Sequence, residues 1–599
     1  MNELNDGFVE NSIFQLLKKS AQRKFNLTAV RYKKFNNWKE LTWGELLNEV
    51  KTLAVALSLA GINNGDRVAI LSNTRFEWVL VDLAVLSLGG CTVPIYSSSV
   101  VSDIDFILKD SGTKIVFAEN EHQIKRIRNI CVGNDHLTHV ICFDVTEKNG
   151  LIKGEISYKD FLKQNISIQF SEKFHNFVCK SEDLATIVYT SGTTGQPKGV
   201  MLTHGNLLYE ARVVEKLGLL VENDIQLLFL PMAHIFAKVL EVAWLQTAHE
   251  LVFAESVEKA IENMSTIRPT FMAAVPRIYE KIHAKIVSNA LRAGGVKALL
   301  AKWAFKQAEE ATQKELDGLD ANSVSWMLAR KLVFSKIAGK LIKLFGNRLK
   351  FFISGGAPLS PQIAYFFKYA GVKICEGYGL TETSAATTIN LPFNIRFGTV
   401  GRPVPGTDIK ISDDGEILIR GQGVFVGYWN DHAATSDVLQ DGWFCSGDIG
   451  KLDDAGFLKI LDRKKDLIVT AGGKNIAPQK IENLIKTKSE LISQVVIQGD
   501  KRKFISALIT LDEVILLEWA KERNFPGTFI QLCENKNVQK KISEAIVAAN
   551  NFLPRYEQVK KFKILDHDLI AGKELTPTLK IKRALFYKQY KNIFDSFYG

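Results

Sequence analysis

The sequence predicts an α/β fold: a large N-terminal domain of doubly wound sheets with a small β-rich part, followed by a small α+β C-terminal domain. Three observations carry this. Short apolar strand-like runs alternate with amphipathic helices in the first part of the chain, the pattern of parallel sheet. From Asp408 that texture changes to a hairpin pattern. The charged run Leu461-Asp462-Arg463-Lys464-Lys465-Asp466 then joins two apolar strand-like stretches without a core of its own, which puts the domain boundary between residues 1–462 and 463–599. At 599 residues the chain exceeds what one ordinary core accommodates.

In chain order, Thr42 to Leu59 has the spacing of an amphipathic helix, with Gly61 near its stop. Arg67 to Leu71 is a short apolar strand after an Asn-Gly-Asp turn. Glu77 to Leu88 is helical, Gly89-Gly90 ends it, and Cys91 to Tyr96 is again a strand. Lys114 to Ala118 and Thr138 to Phe143 continue the alternation, and Ala185 to Tyr189 is a buried-type strand. Ile409 to Ile411 and Glu416 to Arg420 flank Asp413-Asp414-Gly415 as a hairpin closed by an Asp-Gly turn. Residues 463–599 suffice for a separate small domain.

Composition narrows the class. Apolar content of 46% and charged content of 24% are ordinary for a globular protein. The polar, acidic start Met1-Asn2-Glu3-Leu4-Asn5-Asp6 lacks the features of a secretory signal, and no apolar run reaches bilayer length. Seven dispersed cysteines form no CxxC pair, which suits a reducing cytoplasm. Of the net charge of +11, the block Lys281 to Lys350 contributes 14 basic minus 5 acidic residues, or +9.

The stretch Thr190-Ser191-Gly192-Thr193-Thr194-Gly195-Gln196-Pro197-Lys198-Gly199 follows the strand ending at Tyr189. Glycines let backbone N–H groups approach an anion, hydroxyls add donors, and Lys198 adds a mobile charge. This is a phosphate grip, yet it differs from the common phosphate loop, in which a metal-binding hydroxyl directly follows the lysine. Here Gly199 takes that place, which weighs against a GTPase or P-loop ATPase.

Four further stretches accompany it: Ser354-Gly355-Gly356-Ala357-Pro358-Leu359, Glu376-Gly377-Tyr378-Gly379-Leu380-Thr381-Glu382-Thr383, Asp441 to Asp448, and Leu575-Thr576-Pro577-Thr578-Leu579-Lys580. Each alone has a structural explanation: a core aromatic, a solvated carboxylate, a turn, a wet lysine. Together, in this order and spacing, the set resembles the adenylate-forming enzymes, which include acyl-CoA synthetases, peptide-synthetase adenylation domains and luciferases. The resemblance spans about Thr42 to Arg583.

That resemblance implies a chemistry. A carboxylate attacks the α-phosphate of ATP and expels pyrophosphate, so two anions must be neutralised by fixed charge and a metal. By resemblance, Thr190 to Gly195 and Lys198 hold the outer phosphates. Tyr378 and the strand Gly355-Gly356-Ala357-Pro358 sandwich adenine, in company with Glu376, Gly377 and Gly379. Thr381 touches the α-phosphate, Glu382 and Thr194 bind Mg²⁺, Asp448 takes the ribose with Arg463 nearby, and Lys580 bridges phosphate and carboxylate. Two departures stand out: Ser446 where many relatives carry Thr, and Leu579 where many carry Gly. The Thr-Pro-Thr-Leu-Lys form looks like the long-chain fatty acyl branch.

The resemblance also implies a mobile C-terminal domain that turns about Lys465 and brings Gly472, Gly473 and Lys474 to a CoA thiol channel. His234 and Phe236 resemble the segment beside the acyl pocket, with a satisfied core histidine as the other reading of His234. The basic block 281–350 is mostly helical in pattern and interleaves Trp303, Phe305, Trp326, Phe334 and Phe345 with its lysines. It resembles the insertion of long-chain acyl-CoA synthetases and suits an anionic membrane surface, or else solvated helices covering the core.

The expected activity is that of a long-chain fatty acid–CoA ligase using ATP, Mg²⁺ and CoA. A fatty acyl-AMP ligase passing its product to a carrier protein, or a non-catalytic lipid-binding protein on the same scaffold, are the alternatives. The expected setting is cytoplasmic, with peripheral contact at the cytoplasmic membrane face and no nucleic-acid partner. The oligomeric state is open, a dimer being compatible.

Overall fold

A computed structural model of the chain describes residues 10–131, 134–145, 151–152, 154–165, 178–190, 196–570, 572–576 and 580–599. Two mixed sheets dominate the N-terminal part. The first has eight strands, with Arg67–Leu71, Cys91–Ile95, Ile115–Asn120 and His139–Asp144 parallel at its centre. On one side of these, Leu184–Thr190 runs parallel to Cys91–Ile95 and antiparallel to Lys198–Thr203. The second has nine strands, with Glu250–Phe253, Ile225–Leu228, Phe271–Ala274, Phe351–Ser354 and Ile374–Tyr378 in parallel succession. The predicted strand–helix alternation is thus present.

Local chemistry sets the element ends. Thr42 and Glu45 form a reciprocal capping box, so the first predicted helix begins at Trp43 and runs to Leu59. Helices Phe76–Ser87 and Ile235–Thr247 are buried on nearly every face, as helices enclosed between layers must be. They share a costly polar feature: the Lys238 ammonium pairs with Asp82 and, at 3.1 Å, with Glu241. All three side chains are buried, so this junction tolerates charge because the ions are paired, although Glu241 Oε1 has no hydrogen-bond partner among the described residues.

The β-rich part holds the predicted hairpin, Thr407–Ile411 against Glu416–Gly421, which continues into Trp443–Leu452 and Leu458–Arg463. The smaller C-terminal domain is built on Ile492–Gln498, Ile505–Leu511 and Val559–Ile564, with a separate apolar cluster on each face of that sheet.

The basic block is helical as predicted: Pro276–Arg292, Gly295–Leu316, Val324–Ala329 and Ser335–Leu344. Its aromatics, however, do not face water. Trp326, Phe334 and Phe345 are buried, and Phe305 and Trp326 pack with Phe334, Phe366 and Tyr369. The apolar edge exposed among the lysines is aliphatic instead: Val296, Leu299, Leu319, Val324, Met327 and Leu328. The same helices touch the C-terminal domain. Arg277 donates to the Ser493 carbonyl at 3.0 Å, Arg292 pairs with Glu522 at 3.0 Å, and Glu309 pairs with Lys488 at 3.3 Å.

Candidate active site

The predicted residues converge where several sheet strands end at their carboxyl edge, the usual crevice of an open α/β sheet. Phe351–Ser354 stops one residue before Gly355, so Gly355 to Pro358 form the loop after the strand and not the strand itself. Gly355 is pressed from one side: a Cβ there would stand 3.2 Å from the Phe236 ring. The predicted acyl-pocket aromatic and the predicted adenine loop are therefore neighbours.

Ile374–Tyr378 brings Glu376, Gly377 and Tyr378 alongside. Burial pushes the Glu376 carboxyl up to about 8, so it is a neutral group at physiological pH. A side chain at Gly379 is impossible, since a Cβ would overlap the Ala385 carbonyl oxygen at 1.3 Å. The chain there folds back through the short 3₁₀ turn Thr381–Thr383, which presents Thr381 and Glu382 half-exposed.

Two corners form around these strands. At the first, the Tyr378 hydroxyl donates to Asp448 Oδ2 at 2.7 Å, and Arg463 Nε lies 3.1 Å from Asp448 Oδ1. Crowding by the protein opposes the Arg463 charge, although its side chain is 44% exposed; Asp448 and Glu382 outweigh it and the guanidinium is held more firmly protonated than usual. At the second, Lys198 Nζ lies 3.9 Å from Asp431 Oδ2 and 5.0 Å from the centre of the Tyr428 ring. The Tyr428 hydroxyl donates to Glu382 Oε1 at 3.0 Å. Thr190 ends the neighbouring strand, its hydroxyl 3.5 Å from the Lys198 carbonyl. Ser191, Gly192, Thr193, Thr194 and Gly195 lie outside the described residues.

Lys580 joins both corners. Crowding by the protein pushes its ammonium down to about 8, Arg463 adds to this, and Asp448 and Glu382 pull the other way. Its side chain stays exposed, so water softens the crowding, and Arg463 is the cause that persists. The loop is clipped on itself: Thr576 N–H donates to the Lys580 carbonyl at 2.7 Å, and Lys580 N–H to Thr576 Oγ1 at 3.0 Å. His234, half-exposed at the start of helix Ile235–Thr247, accepts the Phe236 N–H at 3.1 Å. Burial and then Lys580 push its imidazole down to about 4, so it is neutral at physiological pH.

The remaining predicted residues sit elsewhere. Gly472, Gly473 and Lys474 occupy an exposed turn between Ile468–Val469 and Asn475–Ile476, where Ala471 N–H donates to the Arg502 carbonyl at 3.0 Å. Lys465 is exposed between two anchors. Lys464 pairs with Glu416 of the β-rich sheet at 2.9 Å, and Asp466 lies 3.5 Å from Arg583 of the C-terminal domain.

Among the described residues no three His, Cys, Asp or Glu side chains form a ready cation cage. Glu382 fits Mg²⁺ in the other usual manner, as one carboxylate sharing the ion with nucleotide phosphates. Tyr428 holds one of its oxygens, and the other has no hydrogen-bond partner among the described residues.

Comparison with known proteins accords with this geometry. The family model "AMP-binding enzyme" matches residues 17–429, and "AMP-binding enzyme C-terminal domain" matches 465–599. The chain belongs to the AMP-binding enzyme family. Among curated members, it is 35% identical to long-chain-fatty-acid–CoA ligase FadD15 of Mycobacterium bovis over 94% of this chain and 93% of that one. It is 30% identical to long-chain-fatty-acid–CoA ligase ACSBG2 of Xenopus laevis, over 98% and 84%. The adenylation domain of a carboxylate reductase from Mycobacterium chelonae shares the fold of this family member, with a TM-score of 0.78 at 20% identity over 99% of this chain and 92% of that one.

Sequence reasoning missed Tyr428 and Asp431. The fragment Gly427-Tyr428-Trp429-Asn430-Asp431 has no phosphate-loop composition, and its relevance appears only where the chain crosses Lys198.

Proposed function

We infer that this AMP-binding enzyme is an ATP-dependent long-chain fatty acid–CoA ligase. It forms an acyl-adenylate with release of pyrophosphate, then a CoA thioester with release of AMP. The observation that carries this is the convergence of Lys198, Glu382, Tyr378, Asp448, Arg463 and Lys580 from separate segments onto one crevice, in a chain whose curated relatives are named CoA ligases. Those names favour CoA over a carrier protein as acceptor.

In this reading Asp448 accepts the ribose hydroxyls, and Tyr378 faces adenine across the Gly355–Pro358 loop. Lys198 engages the outer phosphates. Glu382 would hold Mg²⁺, which supplies charge neutralisation at the phosphates when bound. Lys580, positively charged below about pH 8, sits where a carboxylate and an α-phosphate would meet. His234 and Phe236 flank the acyl entrance as neutral groups.

Residues 463–599 act as a mobile domain that turns about Lys465. The support is the change of anchor on either side of it, Lys464 to Glu416 and Asp466 to Arg583. Lys580 feels the charges of Arg463, Asp448 and Glu382 while the Thr470–Lys474 turn is held by Arg502, which supports an acid-activating arrangement. Peripheral contact of the 281–350 block with an anionic membrane is part of this reading. Lysines interleaved with exposed aliphatic side chains support it, in place of the aromatics that the sequence suggested. No helix among the described residues is long and apolar enough to cross a membrane.

The test is exchange of labelled pyrophosphate into ATP across fatty acids of increasing length, followed by thioester formation with and without CoA. Exchange that rises with chain length and product that requires CoA are expected. No exchange with any carboxylic acid would overturn the assignment.

A further inference from the structure

The segment Gly421–Asp431 is fastened to both halves of the phosphate corner. On one side, Gly427 and Tyr428 pair antiparallel with Met201 and Val200 of the strand that begins at Lys198, and Trp429 N–H donates to the Gly199 carbonyl at 2.7 Å. On the other, Phe425 N–H donates to the Glu382 carbonyl at 2.8 Å, and Ser384 Oγ donates to the Gly423 carbonyl at 2.7 Å. The segment therefore sets the distance between the strand carrying Lys198 and the turn carrying Glu382.

Tyr428 stands between their side chains. Its hydroxyl binds the Glu382 carboxylate at 3.0 Å, and its ring faces the Lys198 ammonium at 5.0 Å. The ring is itself fixed. Phe425 meets it edge-on at 4.9 Å, Tyr428 N–H donates to Thr435 Oγ1 at 2.9 Å, and the residue is buried. The phenol O–H is the donor to the carboxylate.

Without a spacer, a flexible lysine and a carboxylate facing one corner would pair with each other. Such a pair would have to be broken before phosphate and cation could bind. We propose that Tyr428 is a positioning residue that keeps Lys198 and Glu382 apart and separately poised. Its hydroxyl pins one carboxylate oxygen and leaves the other for the cation, as hydrogen bonds behind a metal ligand do. Its ring and Asp431, 3.9 Å away, hold the ammonium only loosely, because such half-exposed contacts are weak. Phosphate can then draw the lysine off. This inference rests on the ATP-dependent reading above.

The test is calorimetric binding of ATP to the full chain, without fatty acid, with and without Mg²⁺. Tyr428→Phe keeps the ring and volume; it should leave metal-free ATP affinity unchanged and raise the Mg²⁺ concentration for half-maximal enhancement by about tenfold. Tyr428→Leu removes the ring as well, and should also weaken metal-free binding as Lys198 collapses onto Glu382. Adding Glu382→Gln to Tyr428→Leu should restore metal-free binding, because the competing carboxylate is gone. A Tyr428→Phe protein with the original Mg²⁺ dependence, or a double variant with no restoration, would overturn this proposal alone. Failure of the unaltered chain to bind ATP would overturn it together with the proposed function.

Discussion

Asp448 leaves 6% of its side chain exposed and has two firm partners, Tyr378 and Arg463, whereas Lys198 and Asp431 each leave 41% exposed and meet only at 3.9 Å. In the proposed reading, the nucleoside corner is thus built before ligand arrives, and the phosphate corner is completed by it. The contrast has a physical reason. Ribose and adenine are neutral, so their binding rewards rigid, satisfied groups. The outer two phosphates of ATP are strongly charged and must leave as pyrophosphate, so their partners must be easily given up. Lys580, from the C-terminal domain, feels the charges of both corners.

Removing the residue common to both corners should have the largest effect. Lys580→Ala should slow adenylate formation at least about a hundredfold, the scale of losing one donor to a developing charge. Thioester formation from supplied acyl-adenylate should be spared; equal loss of both half-reactions would detach Lys580 from the first step. Next comes the loose corner. Lys198→Ala should raise the ATP dissociation constant by about tenfold while leaving the melting temperature unchanged, because half-exposed ion pairs contribute little to folding. A large fall in melting temperature would erase the proposed distinction between the corners.

Asp448→Asn should do the reverse. Tyr378 and Arg463 lose a buried acceptor, and chemical denaturation should register about 1–3 kcal/mol of lost stability, together with a higher KM for ATP. The pH dependence sharpens the same comparison. The Lys580 charge is present below about pH 8 and lost above it, so kcat/KM for adenylation should decline as pH rises through that value. Arg463→Gln removes a positive neighbour, makes the lysine a weaker acid, and should move this alkaline limb to higher pH. The smallest effect is expected at the domain contact. Arg292→Glu combined with Glu309→Lys sets like charge against Glu522 and Lys488, and should slow adenylation about twofold relative to thioester formation. Half-reaction rates measured separately would check it.

Much of this was legible in the sequence because the informative residues are dense and local. Gly379 packs against the Ala385 carbonyl and Thr42 caps its own helix; contacts a few residues apart leave a mark in composition. The pairing of Tyr378 with Asp448 brought together two residues that the sequence had singled out in distinctive short motifs. Tyr428 was not singled out, because its meaning comes from two partners distant in sequence, Lys198 and Glu382. The aromatics of the 281–350 block were ambiguous for a related reason. Alternating Lys and aromatic residues look the same whether the rings face water or, as Trp326 and Phe334 do, the helix Pro361–Tyr369. Only the neighbouring element decides.

The small domain rests partly on opposite charges at the protein surface, Arg292 to Glu522 and Glu309 to Lys488. Fastenings of that kind weaken in concentrated electrolyte while apolar packing does not. If the domain turns as proposed, the tempo of switching between the two chemical steps answers to ionic surroundings, separately from the supply of either substrate.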